Sequence, residues 1–233
     1  MFRCGHRVVK TCARPGQGQF RAEAFGLAQL GSLGVPVPEV LHADDDGLVL
    51  SFLGRGEVDD VGLAEAIATL HGSRAPSYGL DQPIWIATVE LPGGQGDDWH
   101  EVFVEHRIRP LIHRTRARLG RARVEAIERS LSAPLPVEGP VWLHGDLWGG
   151  NVVHGTAGPA LIDPSCWPGE RGVDLAMMQL FGGFSPDFWA AYEALRPIPD
   201  PVKASLPRYQ LYYLLVHVEL FGAAYLGAID RCL

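Results

Sequence analysis

The chain has 233 residues, a formal net charge of -7 and 47% hydrophobic residues, as expected for a globular protein that can bury a core. The acidic balance argues against nucleic acid as a partner, because phosphate backbones select basic surfaces. No apolar run approaches the length needed to cross a bilayer, and the N-terminus lacks the apolar core of a secretory signal. The four cysteines are scattered and form no CxxC pair, which predicts reduced thiols. The nine histidines lack the spacing of a metal site, which predicts mainly surface or structural roles for them. We therefore expect a cytoplasmic protein with no membrane partner.

The first fifty residues predict a small lobe rich in strands. Alternating β-branched residues in HRVVKT predict a strand ending near Lys10, and QFRAEAFGLAQLGSLG carries apolar residues at helical spacing as far as Gly34. Two more strands are expected in VPVPEVLHAD and GLVLSFL, around the turn DDDG. The segment GRGEVDD is typical of a linker, so we place the small lobe in residues 1–54.

Residues 55–233 predict a larger, mainly helical lobe. DVGLAEAIATLHG, DDWHEVFVEHRIRPLIHRTRARLG and RARVEAIERSLSAPLP are amphipathic at helical spacing. Two short apolar runs within residues 141–163 predict a hairpin between helices, and helical patterns return after Asp174. The overall prediction is an α+β fold of two lobes.

The stretch LHGDLWGGNVV, residues 143–153, concentrates the polar residues that carry the functional prediction. Asn151 follows Asp146 by five positions, and Asp163 follows Asn151 by twelve, at the end of the apolar run PALID. Phosphoryl transfer needs a carboxylate that orients and deprotonates the attacking hydroxyl, together with oxygen ligands that hold Mg²⁺ at the phosphates. We therefore predict Asp146 as the catalytic base and Asn151 and Asp163 as ligands of Mg²⁺.

An upstream pair of opposite charges fits the same chemistry. Lys10 ends the first predicted strand, and Glu23 lies early on the following helix. A lysine ammonium can neutralise nucleotide phosphates, and a glutamate on a helix can hold that lysine in place.

The motifs VVK, AEA, LHGDLWGGN, LIDPS and GERGVDLAMMQLFGGF resemble the fructosamine kinase family, within the group of aminoglycoside phosphotransferases and choline kinases. The resemblance runs from about His6 to the C-terminus, and the combination of HGDLWxGN, IDP, DLAM and LFGGF is quite specific to that family. It implies a protein-kinase-like two-lobe fold with ATP and Mg²⁺ as cofactors. It also implies that Lys10, held by Glu23, contacts the nucleotide phosphates.

Further residues of the nucleotide site and the catalytic loop are implied by the resemblance. Backbone groups of a hinge containing Ser51, Phe52 and Leu53 would bind the adenine edge. Asp174 would brace the catalytic loop by accepting hydrogen bonds from its backbone or from His144.

Two other residues in family-like positions keep two interpretations each. Trp148 would either pack under the catalytic loop or line the substrate pocket. Arg171 would form either a structural ion pair or a contact with sugar or phosphate.

The sequence departs from the family pattern in two places. Only nine residues precede Lys10, so we expect a small lobe without the first strand and the glycine-rich loop, whether the start is assigned too late or the flap is lost. Such a loss would weaken ATP binding and expose a sheet edge. Between the lobes, family polar positions have become Ile84, Leu91 and Gly93, and a family glycine has become Ala87.

The leading hypothesis is an ATP-dependent kinase that phosphorylates a sugar hydroxyl of a free or protein-linked ketosamine and so promotes protein deglycation. One alternative is a catalytically weak or inactive kinase-like binding module, which the missing flap would favour. Another is a phosphotransferase acting on an aminoglycoside or an amino alcohol. The acceptor and the oligomeric state stay open at this point.

Overall fold

A computed structural model describes residues 1–11 and 18–233, and its N-terminal part is a four-stranded antiparallel sheet. The strands lie in the order β1-β2-β4-β3, with β1 at Phe2–Cys4, β2 at Arg7–Thr11, β3 at Val40–Ala43 and β4 at Gly47–Ser51. Helix α1 (Gln19–Ser32) covers one face, where Phe20 and Leu27 pack with Leu48 and Leu50 of β4. Their burial follows from the alternation of β4 and the helical spacing of α1.

A short strand does precede the Lys10 strand, which corrects the expectation that the small lobe has none. Strand β1 pairs with β2 from Phe2↔Val9 to Cys4↔Arg7, so Gly5 and His6 form a two-residue turn. Gly5 has a positive φ of 61°, as such a turn requires. This turn is too short to cover phosphates, and the described residues contain no glycine-rich loop ahead of Lys10.

The rest of the chain is mainly helical, as predicted. A single turn of π-helix, Val104–Ile108, joins two of the helices, and 3₁₀ turns lie at Gly149–Asn151 and Gly222–Tyr225. The helices are α2 (Asp60–Leu70), α3 (Trp99–Phe103), α4 (Arg109–Leu119), α5 (Arg121–Ser130), α6 (Gly172–Phe181), α7 (Pro186–Leu195), α8 (Asp200–Phe221) and α9 (Leu226–Arg231). Because β4 ends at Ser51 and α2 begins at Asp60, the division at residue 54 falls between elements and stays a prediction.

Eight short strands form four two-stranded pairs among these helices. They are β5 (Tyr78–Leu80) with β8 (Gly94–Gly96), β6 (Ile84–Ile86) with β7 (Val89–Leu91), β9 (Val141–Leu143) with β12 (Trp167–Gly169), and β10 (Val152–Gly155) with β11 (Gly158–Leu161). The hairpin predicted within residues 141–163 is therefore confirmed as β10–β11, whereas β9 pairs with a later strand. The two pairs within residues 78–96 were not predicted.

Helix α8 is the central helix of the large core. Its buried side chains include Tyr209, Tyr212, Tyr213 and Leu215, and it packs mainly against α6 and α4. By length and composition alone, the helical segment Asp200–Arg231 could cross a membrane, so the expectation that no apolar run is long enough is wrong. A core helix of a globular protein has the same composition, because it is buried on most sides.

The cysteines that the structure describes are free thiols, as predicted. Cys166 is buried, Cys232 is half-buried and Cys4 is exposed, whereas Cys12 lies outside the described residues.

Candidate active site

Lys10 lies between two carboxylates from different parts of the chain. Its Nζ is 2.6 and 2.8 Å from the two carboxylate oxygens of Glu23 and 2.9 Å from Oδ1 of Asp163. Burial alone would lower the pKa of Lys10, but Glu23 and Asp163 together outweigh burial and raise it. The ammonium therefore stays charged and joins α1 to the predicted metal loop.

Asp146 and Asn151 meet in a tight loop after β9. The Asn151 Nδ2 donates to the main-chain carbonyl of Asp146 at 2.7 Å and to its Oδ2 at 3.0 Å. The 3₁₀ turn Gly149–Asn151 reverses the chain and makes this contact possible. Asn151 is buried, and its Oδ1 remains available as an oxygen ligand.

Burial raises the pKa of the Asp146 carboxyl to about 7. The hydrogen bond from Asn151 opposes this shift, while the negative charges of Asp163 and Asp174 add to it. A carboxyl with a pKa near neutrality has a basicity suited to accepting a proton from a hydroxyl.

The β10–β11 hairpin explains the twelve-residue spacing between Asn151 and Asp163. Asn151 directly precedes β10 and Asp163 follows β11, and the Val152↔Leu161 pairing brings both to the same end of the hairpin. The N–H of Ile162 also donates to the Asn151 carbonyl at 3.0 Å. Asp163 has a φ of 57°, a strained conformation for a non-glycine residue of the kind that concentrates at functional sites.

Asp174, in the first turn of α6, accepts hydrogen bonds from the catalytic loop as expected. Its carboxylate oxygens accept the backbone N–H groups of His144 at 2.8 Å and Gly145 at 2.9 Å. The Tyr213 hydroxyl donates to the Gly145 carbonyl at 3.0 Å. All of these groups are buried, so the loop backbone is fixed by hydrogen bonds shielded from water.

The His144 side chain adds a second attachment of the loop. Its Nε2 lies 2.9 Å from the Ile162 carbonyl, and its Nδ1 lies 3.3 Å from the Asp146 N–H. Burial lowers the pKa of His144, so a neutral ring with the proton on Nε2 satisfies both contacts. His144 thus links the Asp146 loop to the segment before Asp163.

His71 is part of this support and was not singled out from the sequence. It is buried at the end of α2, with Nε2 3.3 Å from Asp174 Oδ2 and Nδ1 2.8 Å from the Tyr192 hydroxyl. Its position in TLHG gives no signal of this role, because its partners lie more than a hundred positions away.

Arg171 forms the structural ion pair and takes no part in the site. It is buried, and its guanidinium pairs with the Glu138 carboxylate at 2.7 and 2.9 Å and donates to the Pro197 carbonyl at 2.8 Å. Arg171 thus has the structural contacts of the first interpretation and lines neither of the two clefts described below.

Trp148 packs against the catalytic loop on its exposed side. Its side chain is 40% exposed and is not among the residues that line the neighbouring cleft, so a role in the substrate pocket stays a prediction. Its indole lies over Gly150, where an added Cβ would be 2.2 Å from the ring.

A mostly apolar cleft extends from the predicted hinge to Asp163. It is lined by Val8, Leu50, Val153 and Ile162 together with Ser51, Phe52 and Leu53. Within the hinge, the Phe52 N–H donates to the His6 carbonyl at 2.9 Å, and the Leu53 carbonyl accepts the Thr156 N–H at 2.9 Å. The Ser51 hydroxyl accepts the Glu39 N–H at 2.9 Å. In the described part of the chain, the Leu53 N–H has no backbone partner.

A second cleft begins on the other side of Asp163. Lys10, Glu23, Asp146 and Asp163 form its polar floor. Its remaining wall comes from α1 and the β6–β7 hairpin, with the residues Gln19, Phe25, Leu80, Gln82, Pro83, Ile84, Trp85 and Ala87. Ser165 and Trp85 line this cleft but were not singled out from the sequence.

Helix α1 lies directly against the segment that follows Asp163. A Cβ on Gly26 would be 2.9 Å from Pro164 Cγ and 3.0 Å from Cys166 Cβ. Glycine at this position therefore permits the close packing that brings Glu23 to Lys10.

The donor set suits Mg²⁺ better than a transition metal. No cluster of three histidine, cysteine, aspartate or glutamate side chains occurs in the described ranges, but Mg²⁺ bound with a nucleotide needs only one or two protein oxygens. The Asp163 carboxylate and Asn151 Oδ1 could provide them, and the contact with the Lys10 ammonium shows that the Asp163 carboxylate accepts a cation. Residues 151 and 163 could therefore hold the ion.

Comparisons with known proteins point to one family. The fructosamine kinase family model matches residues 5–233. A probable ketoamine kinase of Thermus thermophilus is 49% identical over 233 residues, covering 100% of this chain and 88% of the relative. The crystal structure of a candidate fructosamine-3-kinase from Thermobifida fusca gives a TM-score of 0.87 at 33% identity, over 97% of this chain and 83% of that one.

The fold extends beyond these relatives. A macrolide 2'-phosphotransferase from Brachybacterium faecium gives a TM-score of 0.55 at 18% identity, covering 97% of this chain and 84% of that one, a likeness of fold alone. The predicted α+β, protein-kinase-like fold is thus confirmed. The chain belongs to the fructosamine kinase family and is a phosphotransferase with an alcohol group as acceptor.

Proposed function

We propose that this phosphotransferase transfers the γ-phosphoryl group of ATP to a sugar hydroxyl of a ketosamine. Fructosamine- and ribulosamine-type adducts, free or protein-linked, are the proposed acceptors, with the C3 hydroxyl as the proposed site of transfer. The phosphorylated adduct is less stable than its precursor, so the reaction would serve protein deglycation in the cytoplasm. The names of the relatives support this acceptor class.

The meeting of two clefts at Asp163 is the observation that carries the proposal. The apolar cleft at the hinge suits a nucleotide base, and the Leu53 N–H is available for its edge. The second cleft has Asp146 on its floor and suits an acceptor. Lys10 and Asp163 lie where the two clefts join, which is the place a transferring phosphoryl group must occupy.

Each residue of the floor has a definite task in this mechanism. Asp146 accepts a hydrogen bond from the acceptor hydroxyl and takes its proton as the oxygen attacks in line. Lys10, held by Glu23, stabilises negative charge on the phosphates. Asn151 and Asp163 would hold Mg²⁺, which neutralises phosphate charge when it is bound. Asp174 and His144 hold the catalytic loop in position through their hydrogen bonds.

The chemistry of the wall supports a ketosamine over a polycationic aminoglycoside. Apart from the carboxylates of the floor, which are engaged by Lys10 and Asn151, the cleft is lined by uncharged side chains, including Gln82 and Trp85. Carboxylates along a wall are what several ammonium groups would require. The intact Lys10–Glu23–Asp163 contacts likewise support a catalyst over an inactive binding module.

The test is MgATP-dependent phosphorylation of a panel of ketosamines, followed by ADP release and by the mass of the product. We expect activity with at least one ketosamine and a loss of about 10³-fold in kcat for Asp146→Asn, because the base is removed. Asp163→Ala should abolish the dependence on Mg²⁺ together with activity. Asp46→Asn, at an exposed turn, is the matched control and should leave kcat unchanged.

Thermal stability separates loss of chemistry from loss of fold in Asp146→Asn. Because the folded-state pKa of Asp146 is raised to about 7, ionisation destabilises the folded chain as pH rises from about 4 to 7. The asparagine variant escapes this effect, so at pH 8 we expect a Tm at least equal to that of the parent. An Asp146→Asn protein within tenfold of the parental kcat would remove Asp146 as the base. Activity on aminoglycosides but on no ketosamine would replace the proposed acceptor.

A further inference from the structure

Ser165 carries a buried hydroxyl with no hydrogen-bond partner among the described residues. Its exposed fraction is 4%, and its Oγ is unpaired. The backbone is well fixed, since the Ser165 N–H donates to the His144 carbonyl at 2.9 Å. An unpaired buried hydroxyl destabilises a protein, whereas alanine at the same place would not.

Other buried hydroxyls on short side chains are satisfied within the chain. Ser205 in α8 is fully buried, and its Oγ donates to the Val202 carbonyl at 2.8 Å. Thr115 in α4 is fully buried and donates to the Leu111 carbonyl at 2.6 Å. Among the buried serines and threonines of the described ranges, Ser165 is therefore the exception.

The place of Ser165 suggests what its partner is. It lies two positions after Asp163 and lines the cleft that has Asp146 on its floor. Among the described residues, Gln19 Oε1 is also unpaired and lines this cleft, whereas the unpaired Trp167 Nε1 and Tyr212 OH belong to the large core. A serine hydroxyl changes rotamer at small cost and can both donate and accept a hydrogen bond.

We infer that the Ser165 hydroxyl binds a second hydroxyl of the acceptor, next to the one that Asp146 deprotonates. This assignment rests on the proposed function, since it requires an acceptor with several hydroxyl groups. It makes Ser165 a residue that determines specificity. A site that pairs a buried polar group with a substrate hydroxyl rejects an analogue without that hydroxyl, because the protein group is then left unpaired.

The test is a double-mutant cycle between the protein hydroxyl and the substrate hydroxyls. It compares kcat/KM of the parent and of Ser165→Ala for a ketosamine and for each of its monodeoxy analogues. For one analogue, we expect the parent to lose about 10- to 100-fold, the range of a buried hydrogen bond that loses one partner. Ser165→Ala should lose a similar factor on the full ketosamine and little more on that analogue.

Ser205→Ala is the matched control, because it removes an equally buried hydroxyl that is already paired. We expect it to lower Tm and to keep the parental ratio between ketosamine and deoxy analogue. Ser165→Ala should keep or raise Tm, since it removes an unpaired group. A merely structural serine would show the opposite pattern for Tm.

The outcomes separate this assignment from the proposed function. If the parent phosphorylates ketosamines and Ser165→Ala keeps the full discrimination against every deoxy analogue, the assignment is wrong and the function stands. If the parent phosphorylates no ketosamine, the function fails and the assignment fails with it.

Discussion

The catalytic loop and the β6–β7 hairpin border the same cleft but are held in different ways. Between His144 and Asn151, the loop is fixed by hydrogen bonds to Asp174 and Tyr213, which are buried. A further hydrogen bond runs from the Gly149 N–H to the Gly182 carbonyl at 3.0 Å. Each of these bonds has a defined direction, so together they orient the backbone of the loop.

The hairpin is held by apolar packing instead. Ile84 pairs across the strands with Leu91 and Ile86 with Val89, and all four side chains are buried. Packing of this kind tolerates exchange of side chains of similar volume, whereas a buried hydrogen-bond network does not. Because Ile84 and Leu91 face each other across the strands, the apolar pair replaces the polar family positions together and leaves no buried polar group unpaired.

The largest effect is expected from removing the support of the loop with Asp174→Ala. It leaves two buried backbone N–H groups, on His144 and Gly145, without acceptors, at about 1–3 kcal/mol each. A displacement of the loop by about 1 Å should also lower kcat by about 100-fold. Urea unfolding measures the change in stability, and steady-state kinetics measure the change in kcat.

The control is Asp230→Ala, which breaks an exposed ion pair with Arg123 and should change neither the stability nor kcat. A variant with parental kcat would show that the loop holds its position without Asp174.

An intermediate loss of stability and activity is expected where Gly149 of the catalytic loop packs against Gly183, just after α6. A Cβ on Gly183 would be 2.6 Å from the Gly149 Cα, and Gly183 has a φ of 95°. Gly182 also has a positive φ, 70°, but open space around its Cβ position. Both alanine variants carry backbone strain, so we expect Gly183→Ala to unfold about 1–3 kcal/mol more easily than Gly182→Ala and to lose more activity. Equal stability and activity of the two variants would contradict the contact.

The smallest effect is expected at the tip of the hairpin. Ala87 has a φ of 50° in a two-residue turn, a conformation that favours glycine. Ala87→Gly relieves this strain but increases the entropy of the unfolded chain, so we expect a net gain of about 0.5 kcal/mol in the free energy of unfolding. Thr88→Gly, at the neighbouring position without a positive φ, should destabilise. A loss of stability in Ala87→Gly would mean that the turn is not strained.

The sequence predicted the helices and longer strands of the chain better than the pairing of its short strands. Helix α1 and strands β2 to β4 follow from local periodicity, and the spacing of Asp146, Asn151 and Asp163 led to the residues that the structure brings together. The pairs within residues 78–96 were missed because three-residue strands have too few positions for a period to be visible, and prolines and glycines interrupt them.

The residues that support the catalytic loop could not be predicted from the sequence, for a different reason. His71 and Tyr213 act through partners that are distant along the chain, and neither belongs to a motif with a fixed spacing. The positive φ of Asp163 and the unpaired hydroxyl of Ser165 are properties of the folded backbone and its packing. No periodicity or composition encodes them.

The absence of a side chain at Gly26 has a consequence for how the two parts of the molecule move. With no atoms between α1 and Pro164, the helix has no spacer over which to pivot, and any outward swing would open a void there while pulling Glu23 away from Lys10. The packing of α1 on the segment after Asp163 therefore ties the position of Glu23 to that of Asp163, and these are the two carboxylates that hold Lys10.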